Sequence, residues 1–492
     1  MNYAIIFRLL ALIHLAIGFA LTSSFLVGIA FPFDDGDTYA VRGLELGAGI
    51  SFLLAIIFMV LGRKGKATIF HKEALAVIGL GWLLASTVGA IPYYFSVEDL
   101  SFASAFFESA SGFTTTGASV FSDISNLPHA LLFWRSLTQW IGGLGVVVFF
   151  VAILSFLGSG AKVLFSREYS GNTEDVFDGR MQTGALRIML LYLILSLLCA
   201  VSYRLTGMGW FDSICHMFTT VSTGGFSTLT ESMAGFNSPA AEWVSILFMT
   251  LCGMSFLLIL RGVRREGVKT FFANLEFVSY LGILVAASSF IILILFASGI
   301  GESAHSIIRG AIFQVTSIMT TTGFATQNFA AWAYPAQITL LCLMIVGGCS
   351  GSTAGGVKVI RLVVGFRSIL FHLERAFRPH VIRPMRVNKR TMSTSEIHEI
   401  STFLVLAFFV VVISCIVVSI FEPHLDPLSL FSAVLACLFN IGPGLGEVGP
   451  LENFGALEDY TKVYLGILMI MGRLEFYAIL VLFAPSLWKR FS

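Results

Sequence analysis

The stretch Phe107 to Ser119 reads FESASGFTTTGAS, a cluster of small polar residues set between long hydrophobic runs. Two hundred residues later, Phe313 to Thr326 reads FQVTSIMTTTGFAT. Both contain the pattern Phe-(Glu/Gln)-x-x-Ser-x-x-Thr-Thr-Thr-Gly. Two further variants follow the same layout, giving four turns: Thr114-Thr115-Thr116-Gly117, Val221-Ser222-Thr223-Gly224, Thr320-Thr321-Thr322-Gly323 and Phe439-Asn440-Ile441-Gly442. The fourth is recognisable from its position and its glycine. Near-regular recurrence of this kind is the mark of repeated structural units, where unrelated loops would not keep both motif and spacing.

The medium around these turns follows from composition. Of 492 residues, 56% are hydrophobic and 12% charged, about half the charge of ordinary soluble domains. Apolar runs of spanning length recur over residues 4–30, 40–62, 72–95, 129–160, 184–206, 240–261, 274–299, 335–377 (interrupted), 396–421 and 460–488. Shorter apolar segments at 101–114, 211–221, 305–319 and 427–439 are too short to cross and suit re-entrant half-helices. Short alternating segments, the mark of a membrane barrel, are not the pattern. The run Ile5 to Ala30 is long for a signal peptide and reads as an uncleaved first helix. The seven cysteines, Cys199, Cys215, Cys252, Cys342, Cys349, Cys415 and Cys437, lie in apolar segments without C-x-x-C spacing and read as small buried hydrophobes. A net charge of +1 gives no sign of a nucleic-acid partner.

Charge sets the orientation. One group of loops carries Arg8, Arg63, Lys64, Lys66, Lys72, Lys162, Arg167, Arg180, Arg187, Arg261, Arg264, Arg265, Lys269, the run Lys358 to Arg390, Lys489 and Arg490. The opposite group is acidic, with Asp34, Asp35, Asp37, Glu98, Asp99, Asp123, Glu231, Glu422, Asp426, Glu447, Glu452, Glu458 and Asp459. The basic loops therefore face the cytoplasm, and the half-helices open on the outer side. The expected fold is an all-α polytopic membrane protein, divided as an N-terminal helix pair (1–66) and four helix–half-helix–turn–helix repeats (67–165, 166–270, 271–390 and 391–492).

Irregular backbone at membrane depth must be buried in protein or line a wet cavity. Four quasi-equivalent turns around one axis can aim carbonyl oxygens at an ion and replace its water. Glycine supplies the backbone angles. The turns contain no carboxylate, which favours a monovalent cation over a divalent one. Ser101, Asp212, Glu302 with Ser303, and Asp426 with Pro427 suit the N-termini of the half-helices. The C-terminal, negative dipole ends would then point at the ion path.

With those residues in view, TTTGAS, VSTGGFST, TTTGFAT and NIGPGLGEVGP resemble the four filter segments of the Trk/Ktr/HKT superfamily of potassium transporters over nearly the whole chain. The two spans before the first repeat resemble the extra pair of its bacterial TrkH/TrkI type. The resemblance implies potassium as the bound and transported ion, a pseudo-fourfold pore within one chain, a homodimer, and a cytoplasmic nucleotide-binding regulatory ring of the TrkA type. It implies the bacterial cytoplasmic membrane as location, with a filter facing outward and built from Thr114–Gly117, Val221–Gly224, Thr320–Gly323 and Asn440–Gly442. Some relatives carry serine at the first filter glycine and favour sodium; Gly117 is glycine, which favours potassium.

Two other features stand out. Gly347-Gly348-Cys349-Ser350-Gly351-Ser352-Thr353-Ala354-Gly355-Gly356 interrupts an apolar span. A phosphate loop would need G-K-(S/T), and Gly356 is followed by Val357 and Lys358. It reads either as a flexible kink or as a mobile loop beneath the turns; the family resemblance makes it a gating loop. Arg473 lies inside the last span, where a charge needs a partner or water. It either pairs with Glu475, Glu447 or Glu108, or stands in the pore as a barrier to cations; the resemblance favours the barrier. Glu108 and Gln314 hold equivalent repeat positions and read as braces, while His216 and His305 read as satisfied polar residues. The run Arg375 to Arg390, with Pro379 and Pro384, reads as a cytoplasmic loop. The competing classes are a sodium-permeable or proton-coupled symporter of the same architecture, an organic-solute transporter built on inverted repeats, and a membrane-embedded enzyme. All four turns open on one side, against inverted repeats. The chain has no H-E-x-x-H, paired-Asp or G-x-S-x-G motif for an enzyme.

Overall fold

The computed structural model describes residues 1–31, 37–63, 71–145, 181–263, 267–299, 303–380, 385–388 and 390–488. It begins with two long apolar helices, α1 (Tyr3–Ala30) and α2 (Asp37–Leu61), packed on each other. Gly18 permits the close fit, since a Cβ there would meet the Phe52 ring.

Four copies of one unit follow. The first has α3 (His71–Gly89) continued by α4 (Ile91–Ser96), a half-helix α5 (Phe102–Phe113), and α6 (His129–Leu144). The second has α7 (Met181–Leu205), half-helix α8 (Trp210–Val221), and α9 (Pro239–Cys252) continued by α10 (Phe256–Arg261). After the short α11 (Lys269–Ala273), the third has α12 (Leu275–Ala297), half-helix α13 (Ala304–Met319), α14 (Tyr334–Val346) and α15 (Val359–Phe377). A two-residue ladder, β1 (Arg386–Val387) with β2 (Arg390–Thr391), leads into the fourth. That unit has α16 (Thr394–Phe421), half-helix α17 (Pro427–Leu438), α18 (Asp459–Arg473), α19 (Tyr477–Leu480) and α20 (Pro485–Trp488).

The units form a closed ring. The helix after each half-helix packs on the half-helix of the next unit: α6 on α8, α9 on α13, α14 on α17, and α18 back on α5. A 12-residue half-helix such as α5 is about 18 Å long by helix geometry, too short to cross the hydrocarbon.

Capping residues start three of the half-helices as the sequence suggests. Ser101 accepts from Ser104 N–H at 3.1 Å, Ser303 from Ser306 N–H at 3.2 Å, and Asp426 from Leu428 and Ser429 N–H at 2.9 and 3.0 Å. The second differs: Gly209 holds the cap position, and Asp212, inside the first turn, accepts from the Thr228 hydroxyl at 2.6 Å. Glu302 lies outside the described residues.

Among the described residues, six helices are long and apolar enough to cross a membrane, or seven if α18 and Tyr477–Phe483, bent on each other, are counted as one span. Three expected spans are broken. Residues 240–261 separate at Gly253 between α9 and α10. Residues 335–377 separate into α14 and α15 around the glycine-rich loop. Residues 460–488, read from hydropathy as continuous, bend by 116° after Arg473, where Glu475 and Phe476 take left-handed φ of 54° and 67°. The far half of 129–160 lies outside the described residues.

One buried charge pair lies within the first unit and reaches the second through its arginine. Arg135 on α6 donates to Glu108 on α5 at 2.8 Å, and both are essentially inaccessible. Glu108 also accepts from Val120 N–H at 2.9 Å. Arg135 donates to Ser227 O at 3.1 Å and lies over the Phe226 ring at 4.1 Å. Glu108 is thus a brace, and Gln314, its counterpart, donates to Thr326 Oγ1 at 3.3 Å. His216 is satisfied by Asp212 O and Ser227 Oγ at 2.9 and 3.0 Å, and His305 meets Arg309 Nη1 at 3.0 Å.

Removing one member of such a pair strands the other. Glu108→Ala should destabilise the fold by about 3–5 kcal/mol, read as a lower melting temperature in detergent, with Glu108→Gln milder. Equal melting of wild type and Glu108→Ala would remove this brace from the account.

Candidate functional site: four turns around one axis

Each half-helix ends in the same turn. After the C-cap residue (Thr114, Ser222, Thr320 or Phe439) comes a residue with left-handed φ: Thr115 at 53°, Thr223 at 54°, Thr321 at 55° and Asn440 at 57°. The next N–H folds back five residues: Thr116 to Ser111 O (2.9 Å), Gly224 to Thr219 O (2.8 Å), Thr322 to Ser317 O (2.8 Å) and Ile441 to Ala436 O (2.9 Å). This is a Schellman closure, which normally carries glycine at the left-handed position. Here β-branched threonine holds it three times, a conformation costly for such residues. Strain repeated at three equivalent points marks a place where side chain and backbone are both needed.

The geometry corrects the register of the second turn. Glycines with φ of 85°, 81°, 82° and 105° follow at Gly117, Gly225, Gly323 and Gly442. The second segment is therefore Ser222-Thr223-Gly224-Gly225, one residue later than the sequence alignment. Val221 belongs to α8, and its carbonyl accepts from Thr353 Oγ1 at 3.1 Å. The adjacent glycines of VSTGGFST were the available signal, and motif counting alone could not choose between them.

These glycines interlock head to tail. A Cβ on Gly117 would strike the carbonyl oxygen of Gly224, one on Gly225 that of Thr322, one on Gly323 that of Ile441, and one on Gly442 that of Thr116. The four segments thus meet in cyclic order around a common line. A single cavity is lined by Gly117, Gly225, Gly323 and Gly442, so the ring opens into it. Side chains brace individual turns, with Thr114 Oγ1 2.7 Å from Thr116 Oγ1 and Thr320 Oγ1 2.8 Å from Thr322 Oγ1, and Asn440 Nδ2 ties the fourth turn to the first by donating to Thr116 Oγ1 at 2.9 Å. Thr115 Oγ1 and Asn440 Oδ1 are buried without a partner. Carbonyls, the unpartnered Thr115 hydroxyl and helix C-termini, with no carboxylate in the turns, suit a weakly hydrated cation.

The glycine-rich loop lies at the other end of the turns from this cavity. Thr353 donates to Val221 O; Gly355 N–H donates to Thr321 Oγ1 at 2.6 Å and Gly356 N–H to Phe439 O at 3.1 Å. Gly347, Gly351 and Gly356 have φ of 75°, 72° and 75°. The loop is anchored by Cys349 N–H to Gly253 O at 2.8 Å and by Ser350 N–H to the buried Glu276 carboxylate at 2.6 Å. Glu276, at the start of α12, had no motif to mark it.

Arg473 donates to Thr353 O at 2.7 Å. Its Nε and Nη2 are buried without a hydrogen-bond partner. The ion pair considered for it does not form among the described residues: Glu475 binds Arg361 at 2.6 Å, and Glu108 binds Arg135. The arginine therefore touches the loop and leaves positive charge uncompensated next to it.

Alanine at Gly225 must accept φ near 81° and a clash with the Thr322 carbonyl, whereas alanine at Gly207, with φ of 99°, meets nothing within 4 Å. Gly207→Ala should cost only the left-handed backbone term of about 1–2 kcal/mol, and Gly225→Ala distinctly more. Melting curves in detergent compare them; equal losses would mean that the ring is not packed.

The comparisons with known proteins agree with this architecture. The family described as "TrkH: Cation transport protein" matches residues 60–490. The chain is 34% identical to the Trk system potassium uptake protein TrkH of Salmonella typhimurium over 87% of this chain and 88% of that one. It is 31% identical to the Trk system potassium uptake protein TrkH of Halomonas elongata over 100% of both. The fold aligns with the crystal structure of the potassium transporter TrkH from Vibrio parahaemolyticus with a TM-score of 0.88 and 30% identity, covering 99% of this chain and 100% of that one. Its relatives are ion transporters rather than enzymes, and the chain, a polytopic helical membrane protein, belongs to the TrkH family of cation transport proteins.

Proposed function

We propose that this protein takes up potassium across the bacterial cytoplasmic membrane through the ring of carbonyls at Thr116, Gly224, Thr322 and Ile441. The head-to-tail seating of glycine against carbonyl around one axis carries this reading. Potassium sheds water more cheaply than smaller or divalent cations, so uncharged oxygens suffice for it. The relatives' names as potassium uptake proteins point the same way. The positive-inside bias of the sequence sets the cavity outward and the glycine-rich loop toward the cytoplasm. The filter comprises Thr114–Gly117, Ser222–Gly225, Thr320–Gly323 and Asn440–Gly442, within the four repeat units drawn from the sequence. The family also supports two partners, a second copy of the chain and a cytoplasmic nucleotide-binding ring of the TrkA type.

The loop Gly347–Gly356 is the gate of this pathway, and Arg473 its electrostatic barrier. The loop's hydrogen bonds to the ends of α8 and α17 and to Thr321 support this reading. A buried cationic group beside a cation path opposes passage in proportion to its desolvation. Opening then requires the loop to leave Val221, Thr321 and Phe439 and Arg473 to lose its hold on Thr353.

Purified protein in liposomes should pass potassium and rubidium in preference to sodium; equal passage of sodium would refute the potassium filter. Arg473→Ala and deletion of Ser350 to Ala354 should each raise rubidium flux severalfold with the protein correctly inserted. Unchanged flux in both would remove the loop and the arginine from gating.

A further inference from the structure

The four ring carbonyls are not equivalent. Among the described residues, Gly224 O alone of the four accepts a protein hydrogen bond, from Gln139 Nε2 at 2.8 Å. The same amide accepts from Phe226 N–H through Oε1 at 3.1 Å. Gln139 is fully buried on α6 and belongs to the first repeat, while both of its contacts lie in the second repeat, at Gly224 and Phe226. The side chain is therefore a two-point clamp across the seam between two repeats. It also explains the double glycine of the second turn. Gly225 supplies the left-handed backbone and seats against Thr322 O, and Gly224 makes room for the clamp, since a Cβ there would collide with the Gln139 amide.

We infer that Gln139 is a positioning residue that sets potassium-over-sodium discrimination by holding and attenuating the Gly224 carbonyl. The inference rests on the carbonyl-ring reading above. A carbonyl oxygen has two lone pairs, so Gly224 O can face an ion while accepting from the amide. Donation into it draws electron density away from the ion and fixes its distance from the axis. Weak, fixed ligands penalise the smaller sodium ion, which gains most from close, strong oxygens. Without the donor, the Gly224 carbonyl is both stronger and freer to move inward, and sodium benefits more than potassium. A fully buried amide with both ends engaged on one loop also fits a structural clamp alone. The two roles differ in what they move: a clamp alone changes the amount of folded protein, while a positioning residue changes the ion ratio.

The test uses two variants of the full chain, reconstituted in liposomes, with rubidium uptake measured against sodium competition. Gln139→Met keeps the length and removes both hydrogen bonds. Gln139→Glu keeps the acceptor for Phe226 N–H but, when ionised, donates nothing to Gly224 O. Both should raise the sodium-to-potassium permeability ratio about fivefold, the factor that one typical net hydrogen bond is worth, with rubidium uptake retained. An unchanged ratio in variants that still transport overturns the inference. So does a change in Gln139→Met alone, which would assign the effect to Phe226, and so does loss of folded protein in both variants, which would assign Gln139 to assembly. Wild-type protein that passes sodium and potassium equally would instead refute the filter reading itself.

Discussion

A peptide chain that leaves helical geometry inside a membrane must find partners for its own N–H and C=O groups. Everything around the four turns answers that constraint. The Schellman closure satisfies the N–H groups at the end of each half-helix, from Thr116 to Ile441. The carbonyls that follow are turned toward the glycine of the next repeat, where no side chain stands. Three are left without protein donors among the described residues. Buried acceptors without donors are costly in hydrocarbon, and a ring of them is stable only where water or a cation completes it. The need to satisfy backbone and the proposed capacity to hold an ion are one property of this turn.

The ring is pseudo-symmetric, and the departures from symmetry are where control can reside. The first two repeats are joined by the Glu108–Arg135 pair and by Gln139, both reaching from α6 or α5 to the Gly224–Ser227 segment. The fourth joins the first through Asn440 Nδ2 and Thr116 Oγ1. The third carries the loop, which touches the ends of α8 and α17 and Thr321. A single chain permits this division of labour. Four identical subunits would place the same brace, amide and loop at every position, and the loops would compete for one axis.

Much of this was legible in the sequence, for a physical reason. A repeated turn needs small residues of special conformation at the same point in each copy, so T-T-T-G recurs against an apolar background, and hydropathy gives the helices on either side. The fourth copy was found by place and by its glycine, because it carries Asn440, which tolerates the left-handed region, where the other copies carry threonine. Where the reading fell short, the deciding contact was long-range. Gly224 and Gly225 look alike until Gln139, many residues away, is known to lie against one of them. Asp212 looks like a cap until Thr228 is seen to take its carboxylate. The bend after Arg473 is invisible to hydropathy, because Glu475 and Phe476 adopt positive φ for reasons of place, with Glu475 bound to Arg361 on the following side of the loop.

That bend bears on how the loop is held. Arg473 and Glu475 flank the point where α18 turns, and each grips a different end of the same element: Arg473 the Thr353 carbonyl within the loop, Glu475 the Arg361 side chain on α15 just after it. Phe403 on α16 adds a ring 4.2 Å from the Arg361 guanidinium. A shift of α15 relative to α18 would therefore pull on the loop through its exit and through its middle together. At the entrance, Glu276 on α12 holds Ser350. These helices thus have direct mechanical purchase on a loop whose other contacts include the end of α8 at Val221, Thr321 and Phe439, so a motion of α12, α15 or α18 reaches the four turns through the loop.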